Sequence, residues 1–154
     1  MHEATDEQIS DMVKNSLVGP IYRIREAIPL MKARGAGDIV SISSQSVETP
    51  QPYMTVYAAA KAGLETLSKG LRYELRSEPI RITSFQVGVI ADTADGEDWG
   101  PEQRAEMHAA FDASGVRPLF LFPGSSARSL ADSVAHVVTA PRDVCLQYVE
   151  ARGT

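Results

Sequence analysis

The sequence has a single cysteine, no long apolar run and no excess of basic residues. Because Cys145 is the only cysteine among the 154 residues, an intrachain disulfide scaffold is excluded. The chain has no apolar run of the roughly 18 residues that a transmembrane helix needs. Its start, Met1–Asp6, has neither the basic region nor the apolar stretch of a signal peptide. We therefore expect a cytoplasmic protein that does not enter a membrane.

The charge balance is mildly acidic, which argues against a further class of partner. The sequence carries 15 Lys and Arg residues against 20 Asp and Glu residues, a formal net charge of -5. A surface of this sign does not favour sequence-independent binding to nucleic acid or to an anionic membrane. The charge balance does not exclude a small-molecule substrate.

Several reactive motifs are also missing. The three histidines, His2, His108 and His136, lack the spacing of metal ligands, and there is no Cys-x-x-Cys, so we expect no metal site. Residues 124–127 (GSSA) lack the second glycine of a nucleophile elbow. Residues 35–37 (GAG) lead into a predicted strand instead of following one and opening a helix. They cannot be the phosphate-binding turn of a dinucleotide fold.

What the sequence does contain is an alternation of helical and strand patterns. Apolar residues at every third or fourth position from Thr5 predict a long amphipathic helix with a capping box at Thr5 and Gln8 and a kink or break near Pro20. The order of elements predicts a single α/β domain over residues 1–154, with parallel strands joined by helical crossovers and a functional insertion at 91–124. The other predicted elements are strands at 38–43, 80–87 and 144–150 and helices at 55–76, 101–114 and 126–139.

One pair of residues could carry chemistry. Tyr57 and Lys61 stand four residues apart in a predicted helix, so both side chains project from nearly the same side. An ammonium beside a phenol favours the phenolate and lowers a tyrosine pKa from its ordinary value of about 10. The pair could then exchange a proton with a substrate oxygen that the hydroxyl of Ser44, at a strand end, also holds. The alternative is a half-buried ring beside a solvated amine.

Four segments of the sequence resemble the short-chain dehydrogenases/reductases (SDR family). They are 37–44 (GDIVSISS), 57–63 (YAAAKAG), 80–83 (IRIT) and 87–90 (VGVI), and they follow the order and spacing of that family. The resemblance implies a Rossmann-like parallel sheet with helices on both sides, of which only the later half, strands five to seven, is present. In the family, the glycine-rich turn and the residue that selects NAD or NADP precede the long helix that opens this chain.

The resemblance also implies catalytic roles. Tyr57 would protonate a carbonyl oxygen during reduction, or deprotonate an alcohol during oxidation, while a hydride passes from or to NAD or NADP. Lys61 would lower the pKa of Tyr57 and hydrogen-bond the nicotinamide ribose, and Ser44 would orient the substrate oxygen. Asn15 would hold a water molecule in the proton relay. For Asn15 the alternative is a helix asparagine bonded to backbone.

The segment after the second predicted strand is expected to face the nicotinamide. The family pattern here is Pro-Gly, with a threonine four residues beyond the glycine. In this sequence Val87 replaces the proline and Asp92 stands at the threonine position, with Thr93 one place later. Gly88 and Ile90 are therefore the residues carried over as cofactor contacts.

Substrate choice in such proteins comes mainly from the following loop and from residues near the serine. The corresponding residues here carry few charges, so they predict a rather apolar alcohol or ketone as the substrate. The competing interpretation is that the aromatic members form a small core of the loop itself. The residues are Gln45, Ser46, Tyr53 and Trp99, together with Phe111 and Phe120.

Two functions of different classes follow. In the first, the chain belongs to a working oxidoreductase whose chemistry is hydride transfer. In the second, it is a non-catalytic interaction module that lacks the cofactor site. We also expect copies of the chain to associate through the two long helices, the faces that these enzymes commonly use to dimerise. A half-sheet with an exposed edge and an uncovered apolar face favours such association.

Overall fold

The computed structural model describes residues 2–92, 100–115 and 124–154. Its helices are α1 (Asp6–Val13), α2 (Gly19–Arg34), α3 (Thr55–Glu74), α4 (Pro101–Ser114) and α5 (Ala127–Thr139), and its strands are β1 (Gly37–Ser44), β2 (Ile80–Val87) and β3 (Tyr148–Ala151). The strands are parallel and form one sheet in the order β1-β2-β3. Helices pack on both faces. The predicted α/β, Rossmann-like architecture is confirmed.

The long helix at the start of the chain changes its winding before Pro20 and does not break at it. Thr5 and Gln8 form the predicted capping box, with backbone-to-side-chain hydrogen bonds of 2.9 and 3.2 Å. Lys14–Val18 then forms a short π-helical segment, and the Gly19 N–H bonds back to the first carbonyl of that segment. Pro20 lies in the first turn of α2, where a missing N–H costs little. The helix is therefore continuous through Pro20, and a wider turn replaces the predicted kink or break.

One face of the sheet packs against α2 and α3, and the character of this interface changes along the strands. Near the strand starts it is apolar. Toward the strand ends it is polar, because the register places Ser41 beside Ser84 and Ser43 beside Gln86, and all four are buried. The apolar cluster consists of Ile39, Leu71, Leu75, Ile80 and Ile82, with Ile24, Ile28, Met31 and Leu67 packed against it.

The opposite face of the sheet is covered by α5. Leu130 and Val137 of this helix are buried in one cluster with Phe85 and Val87 of β2. The apolar spacing of α5 therefore points its inner face at the sheet, as the sequence pattern predicts.

The last strand is shorter than predicted and begins at Tyr148 instead of Val144. The Val144 carbonyl accepts a hydrogen bond of 2.9 Å from Arg81. Pairing with β2 starts where the Ser84 N–H donates to the Gln147 carbonyl at 3.0 Å. The preceding apolar residues approach the sheet as an irregular segment because a side chain, not a strand, satisfies the backbone there.

A buried arginine ties together the edge of the sheet at which the strands begin. Arg81 Nε lies 2.6 Å from Asp38 Oδ1, and Arg142 donates to the other Asp38 oxygen at 2.8 Å. The Arg81 guanidinium also donates to four backbone carbonyls at 2.9 to 3.0 Å. These contacts join β1 and β2 to the last turn of α5 and to the connection that follows it. The four carbonyls belong to Val138, Ala140, Pro141 and Val144.

Candidate active site

The edge at which the strands end holds three of the four residues predicted to be catalytic. Ser44 is the last residue of β1, and Tyr57 and Lys61 lie in the first two turns of α3. The two elements are joined by Lys61, whose Nζ donates to the Ile42 carbonyl at 2.8 Å. Ile42 is two residues before Ser44, so this bond brings the start of α3 to the end of β1.

Ser44 has a defined hydrogen-bond environment. It begins a short 3-10 turn, Gln45–Val47, and its Oγ accepts from the Ser46 backbone N–H at 3.2 Å and from the Ser46 hydroxyl at 3.0 Å. A hydroxyl that accepts two bonds keeps its own O–H as a donor. Ser44 therefore has a donor that the bonds within the turn do not use.

Lys61 and Tyr57 are neighbours in this site. The Lys61 ammonium lies 5.4 Å from the centre of the Tyr57 ring, and both side chains are half-buried. Burial lowers the pKa of Lys61 from its ordinary value of 10.5. Lys61 is therefore not the freely solvated amine of the alternative interpretation.

Asn15 lies in the π-helical segment, and its side chain is exposed. The segment packs on α3 through Leu17, because a Cβ added at Gly63 would lie 3.1 Å from Leu17 Cδ2. Asn15 therefore belongs to an element held directly against the helix that carries Tyr57.

Gly88 lies where the ends of all three strands meet. Its N–H donates to the Ala151 carbonyl at 2.9 Å, and an added Cβ would lie 3.3 Å from both Gln45 Oε1 and Arg152 Cγ. Glycine at this position keeps the end of β2 close to the turn after β1. Ile90 follows and forms an isolated parallel bridge with Ser125.

The two ends of the predicted insertion are joined at that bridge. The Ala91 N–H donates to the Ser125 carbonyl and the Ser125 N–H donates to the Val89 carbonyl, both at 2.9 Å. Asp92 Oδ1 accepts from the Ala127 N–H, at the start of α5, at 2.6 Å. Asp92, which stands where the family pattern has threonine, therefore caps a helix.

The predicted substrate residues occupy different environments. Gln45 and Ser46 are buried in the turn after β1, where they support Ser44 and Gly88. Tyr53 is 50% exposed and has a positive φ of 66°. Trp99 lies outside the described residues. Of the three that the structure describes, Tyr53 alone is exposed to solvent.

Sequence reasoning missed two side chains close to the site. Arg152 lies against Gly88 and forms ion pairs with Glu48 and Glu150. Glu65 is buried and accepts a hydrogen bond from Ser43 Oγ at 2.5 Å. A charged residue in a helix gives no signal of burial, and only the packing of α3 against β1 reveals it.

The arrangement suits proton exchange with a ligand oxygen. A serine hydroxyl, a tyrosine and a half-buried ammonium converge on one edge of a parallel sheet, where open α/β folds bind ligands. Within the described parts of the chain, no group of His, Cys, Asp and Glu side chains could hold a metal ion. None of the helices there is long and apolar enough to cross a membrane.

The sequence matches known proteins along most of its length. A family model described as short chain dehydrogenase matches residues 1–104. An uncharacterized oxidoreductase of Staphylococcus aureus (strain MRSA252) is 24% identical over 151 residues, which cover 96% of this chain and 57% of that protein. Another, from Staphylococcus saprophyticus, is 29% identical over 96 residues, which cover 62% of this chain and 41% of that protein. The chain therefore spans less than two thirds of either relative.

Solved structures share the fold. A sorbitol-6-phosphate 2-dehydrogenase from Erwinia amylovora has a TM-score of 0.81 at 21% identity, over 99% of this chain and 62% of that chain. The closed form of a serine dehydrogenase complexed with NADP+ has a TM-score of 0.74 at 24% identity, over 97% of this chain and 57% of that chain. Since the family model covers more than half of its residues, the chain belongs to the short-chain dehydrogenase family.

Proposed function

We propose that the protein acts as an NAD(P)-dependent oxidoreductase on an alcohol or ketone, with Tyr57 as the proton donor or acceptor. The observation that carries this proposal is the position of Lys61. Its ammonium is half-buried, bonded to the Ile42 carbonyl and 5.4 Å from the Tyr57 ring, at the strand edge that also holds Ser44. A cation held there favours the phenolate, which is the form that takes a proton from an alcohol.

The residues present fit the nicotinamide end of such a cofactor. Lys61 has three N–H donors, of which one is directed to Ile42, so further donors are available to ribose hydroxyls. The backbone of Gly88 and Ile90 lies at the same edge and would face the nicotinamide amide. When bound, the cofactor supplies or accepts the hydride. The sequence has no glycine-rich turn between a strand and a helix to hold its phosphates.

Within this proposal each side chain has one task. Ser44 donates its O–H to the substrate oxygen, because its acceptor sites are directed to Ser46. Tyr57 gives a proton to that oxygen during reduction and removes it during oxidation. Lys61 stabilises the phenolate form, and Asn15 relays protons through a water molecule held at the π-helical segment.

We propose a rather apolar substrate. Tyr53, in the loop before α3, and Val89, just beyond the end of β2, expose apolar surface and are 50% and 41% exposed. Apolar contacts of this kind favour a substrate without charged groups. The other aromatic residues that could decide this, Trp99 and Phe120, lie outside the described residues.

The second candidate is a non-catalytic interaction module. Ile42 of β1 is 42% exposed at the edge of the sheet, and such edges pair with other chains. An apolar groove of about 350 Å³ also lies between α1 and α3, which favours association of copies through these helices. It is lined by Ile9, Val13, Leu17, Thr55, Val56, Ala59 and Ala60.

Replacement of one hydroxyl separates these candidates. Tyr57→Phe should lower turnover of apolar ketones by about a hundredfold or more, because the proton donor is lost. Binding of NADH or NADPH, measured by fluorescence titration, should stay within about twofold, since the ring is retained. The matched control is Tyr73→Phe, an exposed tyrosine of the same helix.

Two outcomes decide against the proposal. Undiminished turnover by Tyr57→Phe would remove Tyr57 from the proton-transfer role. If the wild-type chain shows no turnover and its copies associate in sedimentation experiments, the interaction module is the better description.

A further inference from the structure

The first half of α3 is fixed to β1 by polar contacts, whereas helix–sheet interfaces are ordinarily apolar. Lys61 Nζ donates to the Ile42 carbonyl at 2.8 Å, and Ser43 Oγ donates to Glu65 at 2.5 Å. Leu71 follows on the same helix and joins the apolar cluster. Successive turns of the catalytic helix are thus bonded to successive residues of the catalytic strand.

Glu65 is the exceptional member of this interface. Its side chain is only 7% exposed, and its partner Ser43 is 2% exposed. Burial of a carboxylate is unfavourable unless it is hydrogen-bonded, and an apolar residue of similar size would fill the same space without that cost. Stability alone therefore does not explain a glutamate at this position.

The surroundings of Glu65 add hydrogen-bonding capacity. Gln86 of β2 is the register neighbour of Ser43 and faces the same helix, yet its side-chain amide has no hydrogen-bond partner among the described residues. An amide N–H is a suitable donor to a carboxylate after a small side-chain rotation. The carboxylate lies in a polar layer able to hold it in one place.

A hydrogen bond between α3 and β1 fixes the position of the helix along the strand, which an apolar contact does not. Apolar side chains such as Leu71 and Leu75 tolerate small shifts of a helix along a sheet, because the hydrophobic effect has no direction. A short hydrogen bond does not tolerate them. Glu65 is one helical turn beyond Lys61 and Ser43 directly precedes Ser44, so this bond is adjacent to the site on both elements.

We propose that Glu65 is a positioning residue of the active site, whose hydrogen bond with Ser43 holds α3 at a fixed height on β1 and thereby keeps Lys61 and Tyr57 opposite Ser44. The effect of Glu65 on catalysis rests on the proposed function. Its effect on the position of α3 does not.

The test that needs no activity is the titration of Lys61, followed by NMR of carbon-13-labelled lysine and assigned with Lys61→Met. If α3 loosens, the ammonium gains water and its pKa rises toward 10.5. Removal of a nearby negative charge acts in the opposite direction and lowers a lysine pKa. A rise of the Lys61 pKa therefore indicates that α3 has moved, and a fall indicates only the loss of a negative charge.

Three variants and one control use this difference in sign. Ser43→Ala keeps the Glu65 charge and removes the donor, and Glu65→Leu removes both charge and acceptor. In both, the Lys61 pKa should rise by about 0.5 or more. Glu65→Gln, which keeps an acceptor oxygen, should show no rise. The control Ser68→Ala removes a hydroxyl of the same interface, 2.9 Å from Ser41 Oγ, and should leave Lys61 unchanged.

The proposal is overturned if Ser43→Ala and Glu65→Leu titrate like Ser68→Ala, or if Ser68→Ala shows the same rise. Where Glu65→Leu fails to fold, Ser43→Ala alone decides. In turnover assays, Ser43→Ala should lower kcat about tenfold with KM within about twofold, because binding is kept and orientation is lost. A wild-type chain without turnover contradicts the proposed function but leaves the Lys61 titration as a separate test of position.

Discussion

At the scale of single residues, Lys61 shows how burial of a charge links stability to pH. Its pKa is lowered by burial, so the folded state binds this proton less tightly than the unfolded state does. The folded state is therefore penalised at every pH below the lowered pKa. The penalty disappears as the pH rises toward 10.5.

Lys61→Met removes that linkage. As the pH is raised from 7 toward 10.5, the unfolding free energy of the wild type should increase relative to that of the variant. Urea unfolding at several pH values measures the difference. The matched control is Lys69→Met, at an exposed position of the same helix. A difference between the wild type and Lys61→Met that stays constant with pH would show that the charged amine is not desolvated.

Tyr148 provides the opposite case. Partial burial, the carboxylates of Glu65, Glu48 and Glu150, and a weak hydrogen bond to Glu48 raise its pKa to about 12. The folded state therefore holds this proton more tightly than the unfolded state, in which the phenol titrates near 10.0. The resulting stabilisation is complete below the unfolded value and is lost as the pH rises toward 12.

Tyr148→Phe tests this direction. Between pH 10 and 12 the wild type should lose stability faster than the variant, which has no phenol to ionise. Circular dichroism during alkaline titration follows the unfolding. Tyr73→Phe, which replaces an exposed tyrosine on α3, is the matched control, and equal curves for the wild type and Tyr148→Phe would contradict the raised pKa.

At the scale of elements, the sequence pattern predicts most boundaries but not their irregularities. The alternation in β2 and the proline at the start of α4 predict these elements with the bounds that the structure has. The π-helical segment Lys14–Val18 escapes prediction because one widened turn hardly alters a pattern that repeats every three or four residues. The start of β3 was predicted wrongly because an apolar run resembles a strand whether or not its carbonyls pair with one.

The joined ends of the insertion depend on one glycine. A Cβ at Gly124 would lie 2.7 Å from the Ala91 nitrogen, which is backbone and cannot rotate away. Gly124→Ala should therefore lower the unfolding free energy by about 2 kcal/mol. Urea unfolding measures it. Gly70→Ala is the matched control: its Cβ meets nothing within 4 Å in the middle of α3, so the change should stabilise the protein by up to about 1 kcal/mol. Equal stability of the two variants would contradict the crowded contact.

At the scale of the whole molecule, Arg81 joins segments that are far apart in sequence. Its guanidinium, only 8% exposed, bonds Asp38 of β1 and carbonyls after α5. Arg81→Met would leave those carbonyls without their donor and should cost about 3–5 kcal/mol in urea unfolding. Arg128→Met, at an exposed ion pair of α5, should cost less than about 1 kcal/mol. A loss below about 1 kcal/mol for Arg81→Met would show that water replaces its contacts.

The residues of the candidate site differ in how far the sequence predicts them. The spacing of Tyr57 and Lys61 fixes their common side of a helix, and Ser44 follows from the end of an apolar strand. The Glu65–Ser43 contact does not follow, because it depends on how α3 lies across β1. Local patterns describe one element at a time, and the height of one element on another is set by packing.

The π-helical segment has a consequence for how the first helix is used. An additional residue in one turn rotates everything before it by about 100° relative to everything after it. Two apolar stripes, one before and one after this turn, would lie on the same side of a regular helix. The wider turn makes them face different directions. Ile9 and Val13 of α1 turn toward the start of α3, while Ile28 and Met31 of α2 turn toward the sheet. One continuous helix therefore packs on both α3 and the sheet without a loop between its two parts. Deletion of a single residue from this turn would bring both stripes onto one side of the helix, so that one stripe would lose its packing partner.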